Sequence, residues 1–428
     1  MMDNSNLSAR DLAVIWHPYT QMQTAPAPVA LLRGEGALLF DEANNSYIDA
    51  TSSWWVNIHG HAHPYIAEQL ALQARQLQHC IFAGYTHPPA VNLAERLLKI
   101  LPGPQSRVFY SDNGSTAVEV ALKMALQYWH NQDIKKRKIL AFHHAYHGDT
   151  FGAMSVSGRS VFTRAFDDFL FEVHFIDLPT ASNITSLKSQ IAAWQPEEIA
   201  AFIFEPLIQG SAGMLMYEAA AFEELLQYCQ SQNILLIADE VMTGFGRTGK
   251  NFAMQYTSVA PDIICLSKGL TGGNMALGVT TCTAAIYNAF LSDNKLKTLF
   301  HGHSFTANPL ACAVALASLD LFLEPACAAN RQRIHVQHRQ FADRLNTLPV
   351  IKNTRVLGTI LAFDIITAGE DGYTNQLADY LHRFFRERRI MLRPLGNTLY
   401  ILPPYCITNE QLTQVYESII ACAEELMH

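Results

Sequence analysis

The feature that most restricts the fold is a pair of apolar runs that each end in one ionisable residue. Residues 234–238 read Ile-Leu-Leu-Ile-Ala and precede Asp239, and residues 263–267 read Ile-Ile-Cys-Leu-Ser and precede Lys268. Short apolar runs of this kind are typical of strands buried inside a sheet. If the two strands are parallel neighbours, their carboxyl ends open onto one crevice, where open α/β sheets bind ligands. The sequence therefore predicts an amine and a carboxylate in one site.

Strand-like and helix-like runs alternate from about residue 61 to residue 324. The predicted strands cover residues 107–111, 138–142, 201–205, 235–239, 263–266 and 278–282, and amphipathic segments such as 219–232 lie between several of them. This alternation predicts an α/β fold with a mostly parallel sheet covered by helices.

The pattern changes after Pro325, and a chain of 428 residues is long enough for two domains. Helix-like segments 331–345, 374–388 and 409–425 then accompany strand-like segments 358–366 and 398–402. We therefore expect a large α/β domain at 61–324 and a smaller α+β domain at 325–428. The irregular N-terminal segment 1–60 is expected to pack with the small domain.

Composition excludes several classes of protein. Hydrophobic residues make up 49% of the chain and charged residues 16%, which is typical of a globular protein and not of a disordered one. The net charge is −8, and the short basic run 135–138 is interpreted as a solvated loop, so no nucleic-acid partner is expected. No apolar stretch approaches the roughly 20 residues of a membrane span.

Cysteine and histidine spacing argues against a disulfide framework and against a metal site. The eight cysteines are scattered without a C-x-x-C motif, which suits a reducing compartment. The histidine clusters at 59–63, 143–147 and 301–303 lack the spacing of a zinc site. The N-terminus has neither the basic start nor the apolar core of a signal peptide, so we expect a cytoplasmic protein without a metal.

Lys268 and Asp239 together predict a cofactor. Pyridoxal 5′-phosphate (PLP) chemistry needs a lysine that forms a Schiff base and an acid that faces the pyridine nitrogen. A lysine that closes a buried strand is desolvated, and such lysines often react as amines. Asp239 needs a partner where it is buried, which a protonated pyridine nitrogen provides. A solvated Lys268 and a turn-capping Asp239 are the competing interpretations.

A phosphate site is predicted where a strand passes into a helix at Gly114 and Ser115. Thr116-x-x-Glu119 fits a capping box before an apolar helix face that begins at Ala117. Backbone N–H groups and a hydroxyl at the positive end of a helix form a ready anion site. An ordinary capped helix is the competing interpretation.

Residues 244–250, Gly-Phe-Gly-Arg-Thr-Gly-Lys, resemble a nucleotide-binding loop but are not expected to be one. Asn251 stands where a P-loop has the Ser or Thr that binds magnesium, and no convincing helix follows for a dinucleotide motif. The tandem Trp54-Trp55 is compatible equally with core packing and with the aromatic wall of a ligand pocket.

Over nearly its full length the chain resembles the class III aminotransferases of PLP fold type I. The resemblance rests on residues 235–250, on Pro261-Asp262 and on Ser267-Lys268-Gly269. It is strongest to members that transfer an amino group from S-adenosylmethionine to 8-amino-7-oxononanoate in biotin biosynthesis. That narrower match rests on Trp16–Tyr19, Ser52–Trp55 and residues 124–129, 145–150, 392–396 and 402–405.

The resemblance implies a role for each cofactor contact. Lys268 would form the Schiff base and transfer the proton, and Asp239 would pair with the pyridine nitrogen. Tyr146 would stack on the cofactor ring and face the substrate. Gly114 and Ser115 would hold the phosphate.

The resemblance also implies a substrate pocket and a homodimer. Tyr19, Trp54 and Arg393 would line the pocket, with Tyr19 also catalytic and Arg393 a fork for a carboxylate. Ser304 of the partner subunit would complete the phosphate site, and Gly302 would adjoin the substrate. Gly302-His303-Ser304 departs from the Gly-Pro-Thr that is frequent there, which leaves the donor open between S-adenosylmethionine and lysine.

Three alternatives remain open. The first is another ω-aminotransferase that acts on a diamine, ornithine or 4-aminobutyrate. The second is a PLP scaffold without turnover, which the retention of Lys268 and Asp239 argues against. The third is a nucleotide-binding enzyme, which Asn251 argues against.

Overall fold

A seven-stranded sheet forms the centre of the molecule, which a computed structural model describes for residues 6–367, 369 and 371–427. From edge to edge its strands are Gln105–Ser111, Gly278–Thr283, Ile263–Leu266, Leu235–Asp239, Ile199–Phe204, Lys138–Phe142 and His174–Ile176. Gly278–Thr283 runs antiparallel to both neighbours, and the other neighbouring pairs are parallel. The mostly parallel sheet predicted from the sequence is therefore confirmed. Residues 1–5, on which the signal-peptide argument rests, lie outside the described residues.

The two middle strands, Leu235–Asp239 and Ile199–Phe204, are buried along their whole length. Both are continuous apolar runs because helices cover both faces of the sheet, so neither face needs polar side chains. The covering helix Gly114–His130 contributes eight buried residues, from Ala117 to Trp129. Apolar sequence at these strands therefore follows from their position in the middle layer.

Three smaller sheets lie outside the central one. Leu31–Glu35, Leu38–Asp41 and Ser46–Asp49 form an antiparallel set that Ile390–Met391 extends in parallel. Ile351–Leu357, Ile360–Ile365 and Thr398–Ile401 form an antiparallel sheet of three strands, and Ile208–Gln209 pairs with Leu215–Met216. The N-terminal strands thus share a sheet with a C-terminal strand, while the division at residues 60 and 324 stays a prediction.

Most of the helices lie between strands along the chain. They are Leu7–Val14, Pro64–Gln76, Pro88–Ile100, Gly114–His130, Phe151–Val156, Ile184–Ala193, Ala219–Ser231, Ala284–Asn288, Pro309–Leu323, Pro325–Leu345, Leu377–Glu387 and Asn409–Glu425. Single 3₁₀ turns occupy Asp167–Phe169, Pro196–Glu198, Ala253–Tyr256, Lys268–Thr271 and Lys295–Lys297. Among the described residues no single helix is long and apolar enough to cross a membrane; Pro309–Leu323 and Pro325–Leu345 meet that criterion only as a pair bent by 67°.

Ser52–Trp55 forms a left-handed turn, which is rare for residues other than glycine. Its four residues have φ values of 51°, 45°, 72° and 73°. Left-handed backbone costs roughly 1–2 kcal/mol per residue for side chains with a Cβ atom. Strain of this kind is typical of functional sites, where the surrounding structure holds it in place.

Candidate active site

The ends of two neighbouring strands bring Asp239 and Lys268 to one cavity. Strands Leu235–Asp239 and Ile263–Leu266 are parallel, and Asp239 lies opposite Cys265. Lys268 follows the second strand after one intervening residue and opens a 3₁₀ turn with φ 45°. Both residues line a cavity of about 610 Å³. The crevice predicted from the two apolar runs is therefore present.

A histidine holds the carboxylate of Asp239. Asp239 is 4% exposed, and its Oδ2 lies 2.7 Å from Nδ1 of His147, which donates to it. Its Oδ1 accepts from the backbone N–H of Val241 at 3.1 Å. Each carboxylate oxygen keeps a second lone pair, so the group can also accept a hydrogen bond from a ligand. The histidine fixes the direction in which that lone pair points.

Lys268 lies in a desolvated position. Burial lowers the pKa of its amine, an effect that the negative charges of Asp239 and Glu205 oppose. The Nζ atom lies 4.7 Å from the ring centre of Trp55, which favours a cation over its face. The ion pairs of the described residues do not include Lys268. Its amine is therefore available for chemistry.

The anion site lies at the start of helix Gly114–His130. Asn113 caps this helix through its side chain, which accepts from the N–H of Thr116 at 2.9 Å, and Thr116 in turn accepts from the N–H of Asn113. Within the described chain, the N–H groups of Gly114 and Ser115 have no protein acceptor, and both residues line the cavity. They are free to bind an anion.

The predicted capping box of Thr116 and Glu119 is wrong. The helix begins at Gly114, three residues before the predicted Ala117, because Asn113 is the better cap and takes the partner that Glu119 was expected to have. The carboxylate of Glu119 instead accepts from Thr150 Oγ1 at 2.5 Å and from the N–H of Gly152 at 2.7 Å. It fastens the helix to the following loop.

That loop carries Tyr146 and Asp149 to the cavity. The hydroxyl of Tyr19 donates to the carboxylate of Asp149 and lies 3.1 Å from the hydroxyl of Tyr146. Burial, assisted by Asp149, raises the pKa of Tyr19 to about 12. Both phenols therefore keep their protons at neutral pH and act as hydrogen-bond donors. Ser115 Oγ accepts from the N–H of Asp149 at 3.1 Å, which ties the loop to the anion site.

Trp54 and Arg393 lie next to Tyr19. The ring of Tyr19 meets that of Trp54 edge-on at 5.3 Å, and the guanidinium of Arg393 lies 4.3 Å above the Trp54 ring. Trp54 is 37% exposed. The ion pairs of the described residues do not include Arg393. Its guanidinium can therefore bind a ligand carboxylate.

Gly302 and Ser304 do not reach this cavity within one chain. Both residues are exposed, and neither lines the 610 Å³ cavity. Their segment lies along helix Gly114–His130, where Lys123 Nζ is 3.1 Å from His301 Nδ1. They are the two predicted site residues that the structure leaves apart from the others.

Four residues of the site were not among the predicted site residues. Trp55 is buried and its indole N–H donates to the Tyr400 hydroxyl at 3.0 Å, so the tandem tryptophans have different environments. His147 belongs to the histidine cluster at 143–147, and Asp149 belongs to the segment 145–150. Glu205 closes a predicted apolar strand, as Asp239 does, and that same pattern could have identified it. Burial raises its pKa to about 7.

The residues around the cavity fit PLP. An added Cβ atom at Gly114 would lie 2.7 Å from Val241 Cγ1, so only glycine lets the helix start approach so closely. Gly148 has φ +132°, and a Cβ atom there would collide with Ser115. The site thus has a helix start that an anion can approach closely, together with the amine of Lys268 and the carboxylate of Asp239. Among the residues described, no group of three or more His, Cys, Asp or Glu side chains is placed to hold a metal ion.

Known proteins with similar sequence and structure agree on one family. The model of the aminotransferase class-III family matches residues 19–423. An adenosylmethionine-8-amino-7-oxononanoate aminotransferase from Synechococcus elongatus is 46% identical, over 96% of this chain and 99% of the relative. A crystal structure of the enzyme so named from Methanocaldococcus jannaschii has a TM-score of 0.94 at 34% identity, with 99% of each chain covered. An omega transaminase of Pseudomonas jessenii in complex with PMP has a TM-score of 0.92 at 27% identity, with 98% of each chain covered.

Proposed function

Because the chain belongs to the class-III aminotransferases, a family of PLP-dependent transaminases, we propose that it transfers the amino group of S-adenosylmethionine to 8-amino-7-oxononanoate. The product is 7,8-diaminononanoate, an intermediate of biotin biosynthesis. The observation that carries the transaminase chemistry is the meeting of Lys268 and Asp239 in one cavity. The full-length similarity to relatives named for this substrate pair supports the choice of substrates.

PLP, when bound, supplies an electron sink for the charge that a carbon gains on losing its proton. We assign its attachment to Lys268 Nζ, and the same amine, once free, moves the proton of the amino-bearing carbon. The carboxylate of Asp239, oriented by His147, stabilises a positive charge on the ring nitrogen, where charge is needed. Gly114 and Ser115 would hold the phosphate, and Tyr146 would lie against the ring.

Substrate recognition is assigned to Tyr19, Trp54 and Arg393. Arg393 binds a substrate carboxylate in two parallel hydrogen bonds, held in place by the face of Trp54. The Tyr19 hydroxyl is committed to the Asp149 carboxylate, so Tyr19 contributes its ring, which packs against that of Trp54 at 5.3 Å, to the wall of the pocket. The reaction runs in two half-reactions, so the donor and the acceptor occupy the site in turn and both react beside the amine of Lys268.

We also propose that the active form is a homodimer with shared active sites. Large apolar side chains are exposed around the segment that holds Gly302 and Ser304: Ile81 at 63%, Tyr85 at 68%, Phe300 at 69% and Phe305 at 62%. The ring of Phe305 lies 5.4 Å from that of His79, so the two stretches of chain form one surface. An exposed apolar surface of this kind is typical of a protein interface. It would bring Gly302 and Ser304 to the partner's cavity.

A cytoplasmic location fits the scattered cysteines, all eight of which are free.

The first experiment tests the role of Lys268. The purified enzyme should show the visible absorption of lysine-bound PLP, and borohydride should fix the cofactor to the peptide that contains Lys268. Lys268→Ala should lose at least about 100-fold in turnover, the lower range for proton transfer by a positioned group. Lys268→Arg serves as the control that keeps the charge. An active Lys268→Ala enzyme would refute the assignment.

The second experiment tests the substrates. Each donor is mixed alone with the enzyme, and loss of the visible band reports the first half-reaction. S-adenosylmethionine should react and lysine should not, and the loaded enzyme should then aminate 8-amino-7-oxononanoate. Reaction with lysine, a diamine, ornithine or 4-aminobutyrate but not with S-adenosylmethionine would show a different ω-aminotransferase.

The third experiment tests whether the sites are shared. Lys268→Ala and Ser304→Asp are each expected to be weakly active as homodimers. A hybrid dimer of the two should regain about half of wild-type activity, because one of its two symmetric sites then has both native residues. If Ser304 served its own subunit, no hybrid site would be intact. Light scattering confirms that each variant remains dimeric.

A further inference from the structure

A second cavity, of about 490 Å³, lies beside the cofactor cavity. The two cavities share Tyr146, Gly148 and Asp149. A molecule whose reacting carbon lies near Lys268 can therefore extend past Tyr146 into the second space. Its volume is within the usual range for small-molecule sites. None of the roles assigned above uses this space.

Aromatic rings form one wall of the second cavity. Phe162 lies at the centre of the group, with ring distances of 4.7 Å to Tyr373, 5.8 Å to Tyr19 and 6.2 Å to Tyr146. Every pair meets edge to face, with interplanar angles of 68–85°. Aromatic faces carry partial negative charge and attract cations such as quaternary ammonium groups. We call the cavity lined by Phe162, Tyr373 and Tyr146 the aromatic cavity.

The charged residues that line the aromatic cavity are acidic. Asp149 and Asp371 line it, and no lysine or arginine is among its described lining residues. Asp371 is paired with Lys352 at 2.7 Å, whereas Asp149 accepts from the uncharged hydroxyl of Tyr19 and is in none of the ion pairs of the described residues. A ligand carboxylate is repelled here, and a cation is attracted. Arg393 provides the opposite environment elsewhere in the site.

We propose that the aromatic cavity binds the sulfonium centre and the attached nucleoside of the amino donor. The inference rests on the proposed function, since S-adenosylmethionine is the substrate that carries a fixed positive charge and a flat base. The acceptor, 8-amino-7-oxononanoate, is an aliphatic chain that ends in a carboxylate, and Arg393 suits it. The two substrates share Lys268 but place their distinct parts against different walls. Phe162 and Tyr373 thereby determine donor specificity.

The experiment measures each half-reaction separately in the holoenzyme. The first is started with S-adenosylmethionine, and the second is run in reverse with 7,8-diaminononanoate. Phe162→Leu should raise the half-saturating concentration of S-adenosylmethionine about tenfold, since a desolvated cation–aromatic contact has about that worth. The change for 7,8-diaminononanoate should be much smaller. Phe162→Tyr keeps a ring and should restore donor binding. Tyr373→Leu, on the facing ring, repeats the test should Phe162→Leu fail to fold.

Charge recognition is tested with S-adenosylhomocysteine, which lacks the sulfonium charge. The wild type should bind S-adenosylmethionine more tightly than S-adenosylhomocysteine, whose affinity is measured by inhibition. Phe162→Leu should reduce this preference for the charged compound. Equal losses for donor and product in both leucine variants, or an unchanged preference, would overturn the inference and leave the proposed function intact. A wild type that does not react with S-adenosylmethionine would overturn both.

Discussion

Glu240 follows Asp239 directly in the chain, yet the two carboxyl groups have different partners. Asp239 faces the cavity, whereas Glu240 is fully buried and points away, accepting from the N–H groups of Met254 at 2.8 Å and Ala253 at 3.1 Å. Thr243 Oγ1 also donates to it, at 2.5 Å. Burial outweighs these bonds and raises the pKa of Glu240 to about 7. At low pH the group is therefore a neutral buried acid.

The raised pKa of Glu240 predicts how stability depends on pH. Below its ordinary pKa of 4.5 the group is protonated in both states. Between pH 4.5 and 7 the unfolded chain has lost this proton and the folded protein still holds it, so stability falls as pH rises. Each such group contributes a slope of about 1.4 kcal/mol per pH unit. The free energy of unfolding, measured with urea between pH 5 and 7, should therefore fall less steeply with pH in Glu240→Gln than in the wild type. The difference in slope should be about 1.4 kcal/mol per pH unit.

The control for that measurement is Glu424→Gln, at an exposed position on helix Asn409–Glu425. Glu205, whose pKa is raised in the same direction, remains in the Glu240→Gln variant and should leave part of the slope. An identical slope in wild type and Glu240→Gln would contradict the prediction.

At the scale of single residues, the sequence could predict positions that follow from a local rule. Lys268 and Asp239 meet because parallel strands end at one edge of a sheet. The difference between Trp54 and Trp55 could not be predicted, because it depends on the left-handed turn that exposes one ring and buries the other. The roles of all these residues in binding and catalysis stay predictions.

At the scale of elements, Asp49 holds the left-handed turn Ser52–Trp55 in place. Its Oδ1 accepts from the N–H groups of Thr51 and Ser53, and its Oδ2 accepts from Ser53 Oγ at 2.8 Å. His61 adds a fourth contact at 2.9 Å. Asp49 itself is fully buried at the end of strand Ser46–Asp49. A single carboxylate thus stabilises a strained turn that carries both tryptophans.

Asp49→Ala should release this turn. We expect a loss of about 1–3 kcal/mol, because the donors that lose Asp49 are buried or partly buried. KM for both substrates should rise, since the turn no longer fixes Trp54 beneath Arg393. Asp41→Ala is the matched control, because Asp41 also accepts from a turn after a strand but lies away from the tryptophans. Equal KM values in the two variants would refute the role of the turn.

Elements with an unbroken apolar pattern were predicted to the residue. Strands Lys138–Phe142, Leu235–Asp239 and Ile263–Leu266 have the predicted bounds. The start of helix Gly114–His130 was misplaced, because the cap depends on whether the side chain of Asn113 or of Thr116 turns back to the helix. Strand His174–Ile176 was not predicted, because a run of three residues is too short to show a periodic pattern. It lies at the edge of the sheet and pairs only with Lys138–Phe142 among the described strands.

At the scale of the whole molecule, Arg247 joins parts of the chain that are far apart in sequence. Its guanidinium is fully buried and donates to the carbonyls of Pro403 at 2.9 Å and of Trp55 and Asn57 at 3.3 Å. Its own carbonyl accepts from the N–H of Thr359. The sequence could not predict this role, because every partner is distant in the chain. Within residues 244–250, the segment that resembles a nucleotide-binding loop, Arg247 therefore connects distant parts of the chain.

Arg247→Met should weaken the whole structure and not one element. Three buried carbonyls lose their donor, and leaving even one without a partner costs about 1–3 kcal/mol. We expect a lower urea midpoint and a broader unfolding transition, measured by tryptophan fluorescence and circular dichroism together. Arg333→Met is the control, because among the described residues Arg333 donates hydrogen bonds only to Ile407 and Asn409, near the C-terminus. A midpoint equal to that of the control would contradict the prediction.

The antiparallel strand Gly278–Thr283 has a consequence for how the chain folds during synthesis. In the central sheet of the described residues it lies between Gln105–Ser111, which leads into the anion site, and Ile263–Leu266, which leads to Lys268. The ribosome completes the first of these strands long before the strand that must pair with it. Contacts so distant in sequence form slowly and leave an apolar edge uncovered meanwhile. We therefore expect a nascent chain that ends before residue 278 to be retained by chaperones and unable to capture its cofactor.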